Sequence, residues 1–170
     1  SYKGSNMTQL LSSELLADAR KVIDVCREAG LKIATVESCT GGLLVGALTS
    51  IAGSSEVVER GFVTYSNAAK SEQVGVPGAL IDAHGAVSEE VARAMAEGGV
   101  SQSQADLAIA VTGIAGPDGG TTDKPVGLVH IAGARAGRET LHFARVFLGD
   151  RDDVRLGSVS AGLGLLHSIA

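Results

Sequence analysis

The chain has 170 residues, enough for one domain with its own core and short of two comfortable ones. A hydrophobic content of 45% with 19% charged residues excludes general disorder. Two tyrosines, three phenylalanines and no tryptophan exclude a stacking platform for single-stranded nucleic acid, and a net charge of −5 argues against generic contact with DNA or anionic membranes.

Residues 1–6 show no periodicity and read as a non-native leader, so one domain over residues 7–170 is expected. Leu15, Ala19, Val22, Cys26 and Ala29 recur at helical spacing and Gly30 stops the helix. Residues 31–36 (LKIATV) read as a short strand ending in the polar turn Glu37–Ser38–Cys39–Thr40–Gly41–Gly42, and an apolar helix follows from Leu43 to about Ile51. Ser55 is placed to cap a further short helix carrying Glu56 and Glu59, and residues 61–66 (GFVTYS) read as a second strand. Pro77 and Gly78 mark a loop. Ser88 caps a helix that opens with Glu89 and Glu90 and runs to about Gln104.

Residues 107–111 form an apolar run suited to a strand buried on both faces, and the glycine-rich loop Thr112–Lys124 follows. Residues 126–134 and 139–147 predict a hairpin through Arg135–Arg138. Asp150 caps a last helix with Leu156, Val159, Leu163 and Leu166 facing inward. Strands alternating with helices give an α/β class: a three-layer α/β/α domain whose mixed sheet is mostly parallel, the hairpin supplying the reversed strand.

Ligands of such sheets gather beyond the carboxyl ends of the strands, and three polar segments fall there: residues 37–42, 65–70 and 112–124. The first joins a strand to a helix N-terminus, where free N–H groups suit a phosphate or an oxyanion; a capped turn without ligand explains it as well. The third spaces glycines at 113, 116, 119 and 120, which matches neither a dinucleotide fingerprint nor a P-loop. Long glycine loops in compact domains are more often functional than accidental. Lys70 closes the second segment. A lone lysine is most often a solvated charge, yet beside a cluster of N–H donors it can turn neutral and take a proton from serine. Ser38, Ser54, Ser55 and Ser66 are the candidates. His84, His130, His142 and His167 scatter over different elements and read as surface or strand residues. Arg151 and Arg155 share one helix face and suit either a phosphate or surface salt bridges. Cys26 and Cys39 form no Cys-x-x-Cys pair, no metal-ligand constellation emerges, and a reduced cytoplasmic setting is expected. No apolar run approaches the length of a membrane span.

The strings ESCTGG (37–42), IAGSSEVVERGFVTYSNAAK (51–70), HGAVSEEVA (84–92), VTGIAGPDGGTTDKPVG (111–127) and GDRDDVR (149–155) closely resemble the C-terminal domain of the CinA (competence/damage-inducible) family. The resemblance runs from Leu15 to Ala170. It implies hydrolysis of the carboxamide of nicotinamide mononucleotide (NMN) to nicotinic acid mononucleotide and ammonia, in pyridine-nucleotide salvage, with no metal or other cofactor. It also implies a serine–lysine pair. Lys70 stands in the matching Tyr-Ser-Asn-x-x-Lys string. The serine is Ser55 or Ser38; Ser55, nearer Lys70 in sequence, is preferred as nucleophile, leaving Ser38 and Thr40 to bind substrate and shape the site. Tyr65 is expected to hydrogen-bond the pair or the nicotinamide ring. Gly41, Gly42, Asn67, Thr112, Gly113, Gly116, Gly119 and Gly120 are expected around the substrate, with Arg151 on its phosphate. A homodimer or higher homo-oligomer is expected, without direct nucleic-acid or membrane contact. The rival is a non-catalytic nucleotide- or partner-binding module linked to competence or the damage response.

Overall fold

The computed structural model describes residues 11–170, so the reading of residues 1–6 and of Met7 lies outside the described residues. Helix α1 (Ser13–Ala29) opens on Ser12, whose hydroxyl accepts from Leu15 N–H, and closes on Gly30 in the left-handed conformation. Strand β1 (Ile33–Glu37) is buried along its whole length and leads into α2 (Leu43–Thr49). A single 3₁₀ turn (Ser54–Glu56) precedes β2 (Val58–Val63). Two short helices, α3 (Asn67–Val74) and α4 (Gly78–His84), lead to α5 (Glu89–Ser101). Strands β3 (Leu107–Gly113), β4 (Leu128–Arg135) and β5 (Leu141–Val146) and the long α6 (Arg151–Ile169) complete the described chain.

The strand order is β2-β1-β3-β4-β5. Strand β1 pairs in parallel with both β2 and β3, whereas β4 runs antiparallel to β3 and to β5. Four strands therefore share one direction and β4 alone opposes them, the mixed sheet that the hairpin predicts. Helices α1, α2 and α6 cover one face, where Ile33, Leu107, Ile109, Val111 and Ile131 meet Val22, Leu44, Leu48, Leu163 and Leu166. Helices α3, α4 and α5 cover the other. There the sheet presents small side chains, Ala108, Ala110, Ala132 and Ala134, and α5 comes close through Gly98 and Gly99. A methyl group on Gly98 would overlap the Val74 carbonyl oxygen, and one on Gly99 would sit 2.7 Å from Val36 Cγ2. Each fully buried Val, Leu or Ile in these layers contributes about 1.5–3 kcal/mol.

Several boundaries depart from the sequence reading. The helix expected to start at Ser55 is one 3₁₀ turn, opened by Gly53 and closed by Val57 N–H on Ser54 C=O, because Ile33 N–H pairs with Val57 C=O and starts the ladder there. Glu59 consequently lies in β2. Tyr65–Lys70 is no plain loop: Ser66 accepts from Ala69 N–H and caps α3. Pro77 and Gly78 begin α4 rather than interrupting the chain. Leu156 is 36% exposed, while Val154 and Ser158 take the inward positions of that turn of α6.

Candidate functional site

The last residue of β1, Glu37, and the residue after it serve opposite faces of the sheet. The Glu37 carboxylate is fully buried and accepts from Leu44 N–H (2.8 Å), Val45 N–H (3.1 Å) and the Thr35 hydroxyl (3.2 Å). It thereby satisfies the first amides of α2, a task that the N-cap residue Gly42 has no side chain to perform. The next residue, Ser38, turns to the opposite face, and its N–H is held by Val111 C=O of β3 at 2.9 Å.

The Lys70 side chain reaches this serine from α3. Its Nζ donates to Ser38 Oγ at 3.2 Å and to Thr64 C=O at 3.0 Å. Lys70 is 1% exposed and Ser38 8%, and among the described residues no carboxylate pairs with the lysine. Burial drives the Lys70 pKa below the ordinary lysine range, since a charged amine loses its hydration there. Cys39 stays a thiol: burial pushes its pKa up to about 11.

Ser38 and Lys70 sit at the floor of a cleft of about 300 Å³ that Cys39, Tyr65, Asn67, Ala86, Val87, Thr112, Gly113, Ile114, Ala115, Gly116, Asp118, Gly119 and Arg151 complete. The cleft opens at the carboxyl ends of β1, β2 and β3. Thr112 donates to Ala86 C=O at 2.9 Å, which ties the segment before α5 to the wall. Arg151, at the start of α6, donates to Gly116 C=O at 2.8 Å and to the Tyr65 hydroxyl at 3.3 Å. Its guanidinium puts positive charge at the mouth, held there by the capping box of Asp150 and Asp153.

Of the residues singled out in the sequence, the structure brings Ser38, Lys70, Tyr65, Asn67, Thr112, Gly113, Gly116, Gly119 and Arg151 together. It leaves Ser55 out. That serine is exposed on the 3₁₀ turn before β2, at the amino end of the strand whose carboxyl end reaches the cleft, so nearness in sequence to Lys70 does not become nearness in space. Thr40, Gly41, Gly42 and Gly120 also lie off the cleft wall. Gly41 and Gly42 (φ 57° and 101°) shape the turn into α2 and flank Arg155 in a separate hollow. Thr40 is fully buried with its hydroxyl unpartnered, as is that of Thr64. Gly120 packs on Val126, whose backbone nitrogen would lie 2.7 Å from an added Cβ. Tyr65 is 63% exposed and is engaged by Arg151, not by the serine or the lysine. Asp118, Cys39, Ala86 and Val87 are cleft residues that the sequence did not single out; a position inside an already suspected loop or turn was the available signal for the first two.

The histidines are less scattered than their spacing implies. The β4–β5 hairpin stacks His130 on His142, with Nδ1 and Nε2 2.9 Å apart, and His142 Nδ1 lies 3.4 Å from Glu89. Burial, first of all, lowers both pKa values. Among the described residues no group of three or more His, Cys, Asp or Glu side chains is arranged to hold a metal ion, and no helix is long and apolar enough to cross a membrane.

Comparison with known proteins identifies the family. The family model described as the CinA C-terminal domain matches residues 16–170. A relative named nicotinamide-nucleotide amidohydrolase PncC, from Shigella flexneri, is 45% identical over 92% of this chain and 95% of its own length. A CinA-like protein from Anaeromyxobacter dehalogenans is 52% identical over 81% of this chain but only 34% of its own length, so the chain spans about a third of such longer relatives. The crystal structure of a competence/damage inducible protein from Agrobacterium tumefaciens superposes with a TM-score of 0.91 at 46% identity, covering 94% of this chain and 97% of that one. With its family model, its relatives and its fold in agreement, the chain belongs to the CinA C-terminal domain family.

Proposed function

We propose that the protein is an amidohydrolase that converts NMN to nicotinic acid mononucleotide and ammonia, with Ser38 as nucleophile and Lys70 as general base and acid. The observation that carries this reading is the 3.2 Å contact between Ser38 Oγ and a buried lysine that has no acidic partner among the described residues. Its substrate comes from the name carried by the 45%-identical relatives from Shigella flexneri and Escherichia coli.

An amide is a poor leaving group, so attack needs an activated hydroxyl, stabilisation of the oxyanion and a proton for the departing nitrogen. Neutral Lys70 takes the Ser38 proton as Oγ bonds to the carboxamide carbon. The resulting ammonium then protonates the nitrogen, the C–N bond breaks, and ammonia leaves behind an ester on Ser38. Water attacks that ester, giving one proton to Lys70; that proton passes to Ser38 Oγ as the C–O bond breaks, and the departing carboxylic acid loses its own proton to solvent. The pyridinium charge of NMN disfavours a second cation nearby and so favours neutral Lys70. Arg151 anchors the phosphate at the mouth of the cleft. A purely binding module has no use for a buried lysine held against a serine hydroxyl. The same proposal takes the enzyme to be cytoplasmic, to act in pyridine-nucleotide salvage and to be homo-oligomeric, which sedimentation equilibrium tests. Ammonia release from NMN by the purified chain is the test of the activity, and its absence together with tight nucleotide binding would overturn it.

A further inference from the structure

The reading of Ser38 as nucleophile leaves open what receives the oxyanion, and Arg155 bears on it. This residue lies one helical turn beyond Arg151 on α6 but does not enter the cleft. Its Nε donates to Cys39 C=O at 3.1 Å and its Nη2 to Thr40 C=O at 3.4 Å. In a trans peptide the C=O and the following N–H point in opposite directions. Holding the Cys39 carbonyl toward α6 therefore turns the Thr40 N–H away from α6. Ser38 N–H is occupied by Val111 C=O and Gly41 N–H by Ser38 C=O. The two amides between them, those of Cys39 and Thr40, donate to no protein oxygen among the described residues. Amides just after a nucleophile are the ones its tetrahedral adduct can reach.

We infer that Arg155 is a positioning residue for the oxyanion site: by holding the Cys39 and Thr40 carbonyls it fixes the Cys39–Thr40 and Thr40–Gly41 peptides, the second aims the Gly41 N–H at Ser38 C=O, and the Ser38–Cys39 peptide so held presents the Cys39 N–H, on the cleft wall, to the oxygen of the attacked carbonyl. The planar guanidinium suits this task because one rigid fork reaches two carbonyls, which the single ammonium of lysine does less well. Arg155 thus differs in role from Arg151: one shapes the chemistry and the other holds charge at the mouth.

The test compares wild type, Arg155→Ala and Arg155→Lys on NMN, and measures in parallel the rate at which a fluorophosphonate labels Ser38. The Ser38 oxygen bonds to the probe's phosphorus and displaces fluoride, its proton passing to Lys70, while the phosphoryl oxygen sits in the oxyanion site, so the probe needs no carboxamide. Arg155→Ala is expected to lower kcat about 10²-fold with KM within about threefold, and to slow labelling comparably. Arg155→Lys should fall between, and added methylguanidinium should restore part of both rates in Arg155→Ala. Should Arg155→Ala fail to fold by circular dichroism, Arg155→Lys carries the comparison. Wild-type rates in a folded variant overturn the inference, as does a KM defect that vanishes on nicotinamide riboside, which lacks the phosphate. Arg155-dependent labelling in a wild type that releases no ammonia supports the positioning role and rejects the NMN reading. A Ser38 that takes no label in a wild type that releases ammonia overturns the positioning role and Ser38 as nucleophile, and leaves the NMN reading standing.

Discussion

Glu37 and Ser38, neighbours in sequence, serve opposite faces of the sheet: one carboxylate holds the first amides of α2 while the adjacent hydroxyl meets Lys70 from α3. The alternation of side chains along β1 makes this possible, and it fixes the serine by the same strand that seats the carboxylate. Glu37→Gln keeps the shape but replaces an acceptor oxygen with a donor facing an amide. It is expected to lower stability by about 1–3 kcal/mol and to reduce kcat, read from thermal melts and steady-state rates.

Ser38→Ala and Lys70→Ala should each reduce kcat by about 10³-fold or more, and the double variant should be hardly worse, because residues acting as a unit are not additive. Ser55→Ala should leave kcat within about twofold. Wild-type activity should rise with pH through the Lys70 pKa, which burial holds below its reference of about 10.4. That acid limb should be missing from any residual activity of Lys70→Ala. A dead Ser55→Ala beside a working Ser38→Ala would reverse the assignment.

Lys70→Met should be inactive and more stable. Because burial lowers the folded-state pKa, the unfolded chain binds the extra proton between that value and about 10.4, and stability rises with pH across this window. The cost of charging the buried amine is fully present below the folded pKa. The gain in Tm from Lys70→Met should therefore be larger at about pH 6 than at about pH 10, at about 2–4 °C per kcal/mol. A lower Tm at both would mean that the lysine stabilises the fold.

Arg151→Ala should raise KM for NMN far more than for nicotinamide riboside. One charge-assisted contact of about 1.5–3 kcal/mol corresponds to about 10- to 150-fold. Equal losses on the two substrates would move the phosphate elsewhere.

Gly98→Ala should destabilise by at least about 1–3 kcal/mol, since the methyl collides with the Val74 backbone at the end of the helix that carries Lys70. Activity should fall with it. Unchanged melting would mean that α3 and α5 part at little cost.

The sheet and most helices were legible because their signals are local: the period of α1, the capping residues Ser88 and Asp150, and the paired runs of β4 and β5. The short α3 and α4 were not, since a single serine or proline is all that announces a two-turn helix. The site was legible as segments. Which serine meets Lys70 was not, because that is decided by the strand end each one flanks, Ser38 the carboxyl end of β1 and Ser55 the amino end of β2, and sequence distance carries no such information. The pairing of His130 with His142 depends likewise on the hairpin register.

The formal charge of −5 counts Lys70 as a cation. Above the Lys70 pKa, with every other group in its formal state, the folded chain carries one unit more negative charge than that count, and under the proposed mechanism the missing proton is the one Lys70 takes from Ser38. Wild type and Lys70→Met should then migrate together in a native electric field wherever the enzyme is active, and separate by one charge as acid silences it. Electrophoretic mobility thus becomes a titration of the catalytic state, readable without any substrate.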